Sequence, residues 1–295
     1  MLTSSAMILI FGLRLGIEFT GGSLLEVEYV EARPLVEEVR GAIADMKLEG
    51  LVIQLSGEKN VLLRFKNIDE ATHQLLLSRL AMAGQDRELS GAPQKMQELR
   101  FDSLGATIGR ELRNRSLLSL VLAGVCIVLY IAWVFRHVSK PVSSWKYGII
   151  AVLALVHDVM IPTGVFAFLG YLYGVEIDSL FITALLTIMG FSVHDTIVVF
   201  DRTRENLRKM KSAEPYERIV GKSIEETFGR SLATSFTVML VLAAIFLFGG
   251  TTTIYFALAL IIGIGVGTYS SIFVASPLLV VWYETTERKR RKSIR

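Results

Sequence analysis

The chain has 295 residues, 52% of them hydrophobic, and its 31 Lys and Arg against 28 Asp and Glu leave a formal charge of +3. A mean hydropathy of +0.50 excludes an ordinary soluble protein. The small positive excess lies mostly beside apolar runs, where membrane topology accounts for it, so it is no nucleic-acid footprint.

Met1 to Phe11 is apolar but only about half the ~20 residues that a spanning helix requires, and it reads as a truncated first span over residues 1–11. Residues 12–115 mix acids and bases like a water-exposed domain. Leu24 to Val30 alternates as a half-buried strand does. Pro34 opens a helical pattern, Leu35–Met46, with Glu37 and Glu38 in its first turn. Leu51–Leu55 and Val61–Phe65 are short apolar runs around a hairpin-like Ser56–Asn60 loop. Asp69 is placed to cap a second helix through Met82, and after a Gly84–Pro93 loop Lys95–Phe101 forms a last strand. The order β-α-β-β-α-β is the ferredoxin-like α+β pattern. Gly105–Arg115 reads as a helix lying at the membrane surface.

Five apolar runs follow within residues 116–283: Ser116–Phe135, Tyr147–Tyr171, Leu180–Phe200, Ser231–Phe248 and Ile254–Tyr283, each near or above spanning length. With the short first segment they make a six-span α-helical bundle, closed by a basic tail over residues 284–295. Arg136, Lys140 and Lys146, then the cluster from Arg202 to Lys222, then Arg288–Lys292 fall on one side, while Gly174–Ser179 and Gly249–Thr253 carry no Lys or Arg. The positive-inside rule puts the basic loops and the C-terminus in the cytoplasm and residues 12–115 outside. Cys126, the single cysteine, lies in an apolar run, so no intrachain disulfide forms.

Two acids stand inside spans. Asp158 follows His157 in the middle of its run, and Asp195 follows His194 about 9 Å from the charged end of its helix at ~1.5 Å per residue. An intramembrane carboxylate is costly unless it is protonated, paired or facing water, which makes both functional candidates. Arg230, at the start of the fourth of these runs, enters at a depth similar to Asp195 and is its candidate partner; the alternative for Arg230 is an anchor that snorkels to the headgroups. The His-Asp doublets invite a metal reading. Adjacent helical residues diverge by about 100°, which argues against both side chains aiming at one ion. Proton relay suits the acids better: such a group loads a proton from one side and releases it to the other, and protonation weakens a pairing with Arg230. Gly263, Gly265, Gly267, Ser270 and Ser271 in the last run permit close helix contact.

The motifs carry a family resemblance. GLRLGIEFTGG at 12–22, including Phe19, Thr20, Gly21 and Gly22, resembles the GIDFTGG motif of the SecF family, accessory subunits of the bacterial Sec export machinery. GFSVHDTIVVFDRTREN at 190–206, with Asp201, Arg202, Arg204, Glu205 and Asn206, resembles that family's GYSxNDTVVVFDRxREN. FGRSLATS at 228–235 and LIIGIGVGTYSSIFVASPLL at 260–279 match its last two spans. The resemblance implies a fold of the resistance-nodulation-division superfamily, a bacterial cytoplasmic-membrane location, a SecD-like partner, work beside the SecYEG channel and use of the proton gradient to pull unfolded exported polypeptides outward. It implies that Asp195 is the proton-pathway acid, Arg230 its partner and Asp158 a second acid. His194 stands where the family usually has Asn, and with His157 it is a candidate modulator. No cofactor is expected beyond a coupling ion, proton or sodium, and no bond-breaking enzymatic activity. The alternatives are a small-molecule or lipid exporter half of the same superfamily, or a membrane scaffold whose acids merely pair.

Overall fold

A computed structural model describes residues 1–83, 95–136, 144–209 and 214–293. The chain forms two compact units, one of Leu15–Arg115 and one of Met1–Arg14 with Ser116–Arg295.

In the first unit the short helix α2 (Ile17–Thr20), which follows α1 (Leu2–Phe11) of the other unit, leads into β1 (Gly22–Tyr29). Then come α3 (Val36–Ala42), β2 (Val52–Ser56), β3 (Asn60–Phe65), α4 (Glu70–Met82) and β4 (Met96–Leu104). The four strands make one antiparallel sheet in the order β2-β3-β1-β4. That is the ferredoxin-like arrangement expected from the pattern. Alternation decides its faces: Leu25, Val27 and Tyr29 of β1 and Val61, Leu63 and Phe65 of β3 point to one side and bury against Val39, Leu76 and Leu80 of the helices and Ile43 just past α3. Tyr29 donates from its phenol to the Leu80 carbonyl at 3.0 Å, and burial pushes that phenol well above its usual pKa. The α3 helix is shorter than the pattern predicted. It begins after Leu35, whose N–H donates to Glu38 Oε2 at 2.7 Å, and it stops at Ile43, where the backbone leaves the helical region. The expected Gly84–Pro93 loop lies outside the described residues.

Asp69 caps α4 as predicted, accepting from the Thr72 N–H at 3.0 Å. The hydrogen bond from Thr72 holds the Asp69 carboxyl below its ordinary pKa, and Lys66 and Gln74 do the same for Glu49 and Glu70. Groups with lowered folded-state pKa contribute stability that is complete above their unfolded pKa and is lost as pH falls through the folded one. Thermal unfolding of this unit is therefore expected to soften as pH drops below about 4, and Asp69→Ala is expected to flatten that dependence; a pH series of melting curves on wild type and variant checks it.

The Phe19-Thr20-Gly21-Gly22 turn is held tightly. Phe19 is buried, and Thr20 Oγ1 donates to the Gly16 carbonyl at 3.0 Å. Gly21 and Gly22 have φ of +74° and +127°, which L side chains avoid. A Cβ on Gly21 would also lie 2.5 Å from Ala106 Cα, and one on Gly109 2.7 Å from the Gly21 nitrogen. The two glycines are thus required by backbone angle and by close packing together.

The second unit holds α1, most of α5 (Ala106–Val134), α6 (Ser144–Tyr173), α7 (Ser179–Lys209), α8 (Tyr216–Phe248) and α9 (Thr251–Ser270), which passes through a π turn at Ser271–Ala275 into α10 (Ser276–Ser293). Among the described residues five helices are long and apolar enough to cross a membrane, α9 with α10 counting as one. They run farther than the apolar stretches alone. The lead-in expected at 105–115 as a separate surface helix is continuous with the first full span. Residues 106–115 contain no proline and are rich in good helix formers, and Arg115 donates to Glu111 one turn back at 2.5 Å. Helix α1 is too short to span and packs on α6, where Ser4 sits so close to Gly164 that a Cβ there would lie 2.6 Å away. Phe11 adds ring contacts to Phe168 and Tyr171. Near the basic ends of the helices, Phe135, Tyr147 and Phe200 stack into one aromatic cluster, and the Tyr147 and Tyr216 hydroxyls are 3.3 Å apart.

Candidate functional site in the membrane bundle

Glycines set how closely the acid-bearing helices approach. A Cβ on Gly263 of α9 would fall 2.2 Å from the Ile188 side chain of α7, and one on Gly267 would fall 3.3 Å from Ser192 Cα. Gly263 and Gly267 of the last span are therefore used within the bundle, against α7. Gly263→Val is expected to overpack this seam by roughly 1–3 kcal/mol, since Ile188 is fully buried; the check is a lowered melting temperature of the purified protein.

That close seam brings two carboxylates into one polar layer. Asp158 on α6 is 0% exposed. Its Oδ2 accepts from Ser192 Oγ of α7 at 2.5 Å and Ser270 Oγ of α9 at 2.6 Å, and its Oδ1 lies 2.8 Å from His157 Nδ1. Asp195 on α7, one turn after Ser192, is 4% exposed. Its Oδ2 lies 3.2 Å from Thr268 Oγ1 of α9, which in turn is 2.6 Å from Ser235 Oγ of α8. Ser231, one turn before Ser235 on the same face of α8, is buried, and its hydroxyl has no partner at hydrogen-bond geometry among the described residues. Hydroxyls from α7, α8 and α9 thus meet two acids from α6 and α7. The π turn begins immediately after Ser270, in keeping with the frequent placement of such turns at working sites.

Several expected residues lie elsewhere. Arg230 is exposed on α8, and among the described residues it makes no ion pair with Asp195; Ser231 and Ser235 occupy the face of α8 turned to that acid. His194 is exposed on the stripe with Thr183, Thr187 and Gly190, away from buried Asp195. At the other doublet the divergence argument fails: His157 bends back onto its own neighbour Asp158. Among the described residues no group of three or more His, Cys, Asp or Glu side chains is gathered to hold a metal.

The Asp201–Asn206 segment ties α7 to α8. Arg202 donates to Glu226 and to Glu205, each at 2.6 Å, and buried Asn206 donates to Glu226 Oε2 at 2.8 Å and Ser223 Oγ at 3.0 Å. Arg204 pairs with Asp201 at 2.7 Å. This clasp sets the register of the helix that carries Asp195 against the helix that carries Ser231 and Ser235. Sequence reading missed Thr268, Ser235 and Ser270 as members of the site, because single hydroxyls in apolar runs look like packing residues.

Comparison with known proteins places this geometry in a family. The chain matches the protein export membrane protein SecD/SecF C-terminal model over residues 85–285 and the SecD/SecF GG motif over residues 6–32. It is 45% identical to the protein translocase subunit SecF of Thermobaculum terrenum, covering 93% of this chain and 86% of that one. The chain belongs to the SecF family of protein translocase subunits. It is 39% identical to SecF of Anaerolinea thermophila, over 92% of this chain and 85% of the relative. The crystal structure of SecDF from Thermus thermophilus, described as a translocon-associated membrane protein, superposes with a TM-score of 0.78 at 32% identity. The alignment covers 95% of this chain and 36% of that one, so the chain spans about a third of the SecDF polypeptide. As a SecF family member it is a multi-pass protein of the bacterial inner membrane with a transport role.

Proposed function

We propose that this SecF-type subunit uses the proton gradient to promote a late stage of protein export, with Asp195 as the acid that takes up and releases the proton. The observation that carries the proposal is a carboxylate inside a membrane span, nearly closed to solvent, whose hydrogen-bonded neighbours are rotatable hydroxyls and which, among the described residues, pairs with no cation. Hydroxyls both donate and accept, so Thr268 and Ser235 form a path along which a proton hops to and from Asp195. Charging Asp195 in that layer is costly without a partner. Its ionised form therefore favours an arrangement of α7 and α8 that brings in Arg230 or water, and its neutral form favours the packed arrangement described above. Cycling between the two moves the helices against each other, and the Asp201–Asn206 clasp transmits that movement. In this scheme Asp158 keeps α6, α7 and α9 in register.

A SecD-like subunit completes the pair, the SecYEG channel is the neighbour, and unfolded exported polypeptides are the load. The basic loops and C-terminus face the cytoplasm and the sheet unit lies outside. The proton is the coupling ion in this scheme, with sodium the alternative for a carboxylate in such a layer. The test is export of a secreted reporter into membrane vesicles at saturating ATP, with and without a protonophore. The added export that depends on this subunit is expected to vanish when the proton gradient collapses. Persistence of that increment without a gradient would remove energy coupling and leave a scaffold.

A further inference from the structure

We propose that the cleft between α5 and α6 is a binding site for one acyl chain of an anionic membrane phospholipid, with its phosphate at Arg136. The cleft holds about 500 Å³ and is lined only by apolar side chains and a glycine, a volume within the ~300–1,000 Å³ of ordinary ligand sites. Val121, Val125 and Leu129 form one wall and Val152, Val156 and Met160 the other, with Gly124 and Met189 at the base. Val121 to Leu129 covers about 12 Å of groove by helix rise.

Three observations choose the occupant. First, α5 is the span least covered by its own bundle, with 6% of its apolar window buried. In a bilayer the default filling of such a groove is an acyl chain. Second, the stripe Val121, Val125, Leu129 continues at the same spacing to Trp133, with Arg136 in the turn just past the end of α5, and the facing stripe on α6 runs back from Val156 and Val152 to Trp145. Trp133 and Trp145 are both exposed, and exposed Trp at one end of a span marks the headgroup level. Third, the charge there is free for a phosphate. The Arg136 guanidinium lies 5.0 Å from the Trp133 ring centre, and among the described residues no carboxylate pairs with it. A planar guanidinium stacked on an indole still presents N–H donors for bidentate contact with a phosphate.

The probe is a phosphatidylglycerol with a diazirine in one acyl chain, compared with the matching phosphatidylcholine, in vesicles holding this chain assembled with its SecD-like partner. Peptide mapping is expected to concentrate labelling in residues 120–136 and 152–160, with phosphatidylglycerol favoured about fivefold, the factor for one basic residue at an anionic surface. Gly124→Phe, whose side chain enters the cleft, is expected to lose the label. Arg136→Gln leaves the apolar walls intact and is expected to keep the label while losing the preference for phosphatidylglycerol. Labelling spread evenly over the outer faces of α5–α9 would overturn the proposal, as would equal use of the two lipids by wild type. Labelling of neither wall in the assembled complex would also overturn it, by showing that a partner helix fills the cleft.

Discussion

Asp195→Asn is expected to lower the rate of export supported by this subunit at least tenfold, about 1.4 kcal/mol in the effective barrier, while leaving its membrane level and partner assembly unchanged. The substitution is nearly isosteric and keeps an oxygen to accept from Thr268 Oγ1, now 3.2 Å from Asp195 Oδ2. Packing at the α7–α9 seam is therefore preserved and only the titrating proton is removed. Asp195→Ala is a harsher change, because buried Thr268 Oγ1 loses its carboxylate acceptor and keeps the Ile264 carbonyl and the Ser235 hydroxyl as neighbours, at a cost of roughly 1–3 kcal/mol. Export of a reporter at matched expression, with co-purification of the partner, separates the two effects. Normal export by the Asn variant would show that Asp195 does not titrate in the cycle.

The second large effect is at Asp158, and its signature differs. Asp158→Ala removes the common acceptor of Ser192 and Ser270 from a site with no solvent access. Leaving such groups unpaired in a buried network is expected to destabilise the bundle by roughly 3–5 kcal/mol and to lower its melting temperature by about 10 °C. Asp158→Asn retains a carbonyl oxygen for the serines and is expected to recover most of that stability together with export. A relay acid would behave otherwise: the Asn variant would fold normally and fail in export. Melting temperature and export measured on both variants therefore distinguish a carboxylate that holds helices from one that carries protons.

Much of the fold was legible because membrane and sheet periodicities are local. Five uninterrupted apolar runs bounded by charge leave little besides spanning helices, and β1 and β3 announce their buried faces by strict alternation at Leu25, Val27, Tyr29 and Val61, Leu63, Phe65. The glycines of the Phe19–Gly22 turn were legible as turn material only; that Gly21 abuts Ala106 is a contact across about eighty residues, which local pattern does not encode. Continuity was misjudged at Gly105–Arg115 because a change from charged to apolar residues alters what surrounds a helix without ending it.

The site divides in the same way. Asp158 and Asp195 stood out because charge inside an apolar run is rare whatever the packing. The depth match that suggested an Asp195–Arg230 pair carried no information about rotation: Arg230 and Ser231 differ by about 100° around α8, and it is Ser231 that faces the acid. Thr268 and Ser270 became visible only once Gly263 and Gly267 had drawn α9 against α7.

The most direct measurement is proton movement itself. The subunit with its partner is placed in sealed vesicles containing a pH-sensitive dye, an acid-outside gradient is imposed, and an export substrate is present. Wild type is expected to dissipate the gradient at a rate that depends on the substrate, and Asp195→Asn is expected to leave it at the rate of empty vesicles. Equal dissipation by wild type and Asp195→Asn would contradict the assignment of Asp195 as the proton-carrying acid.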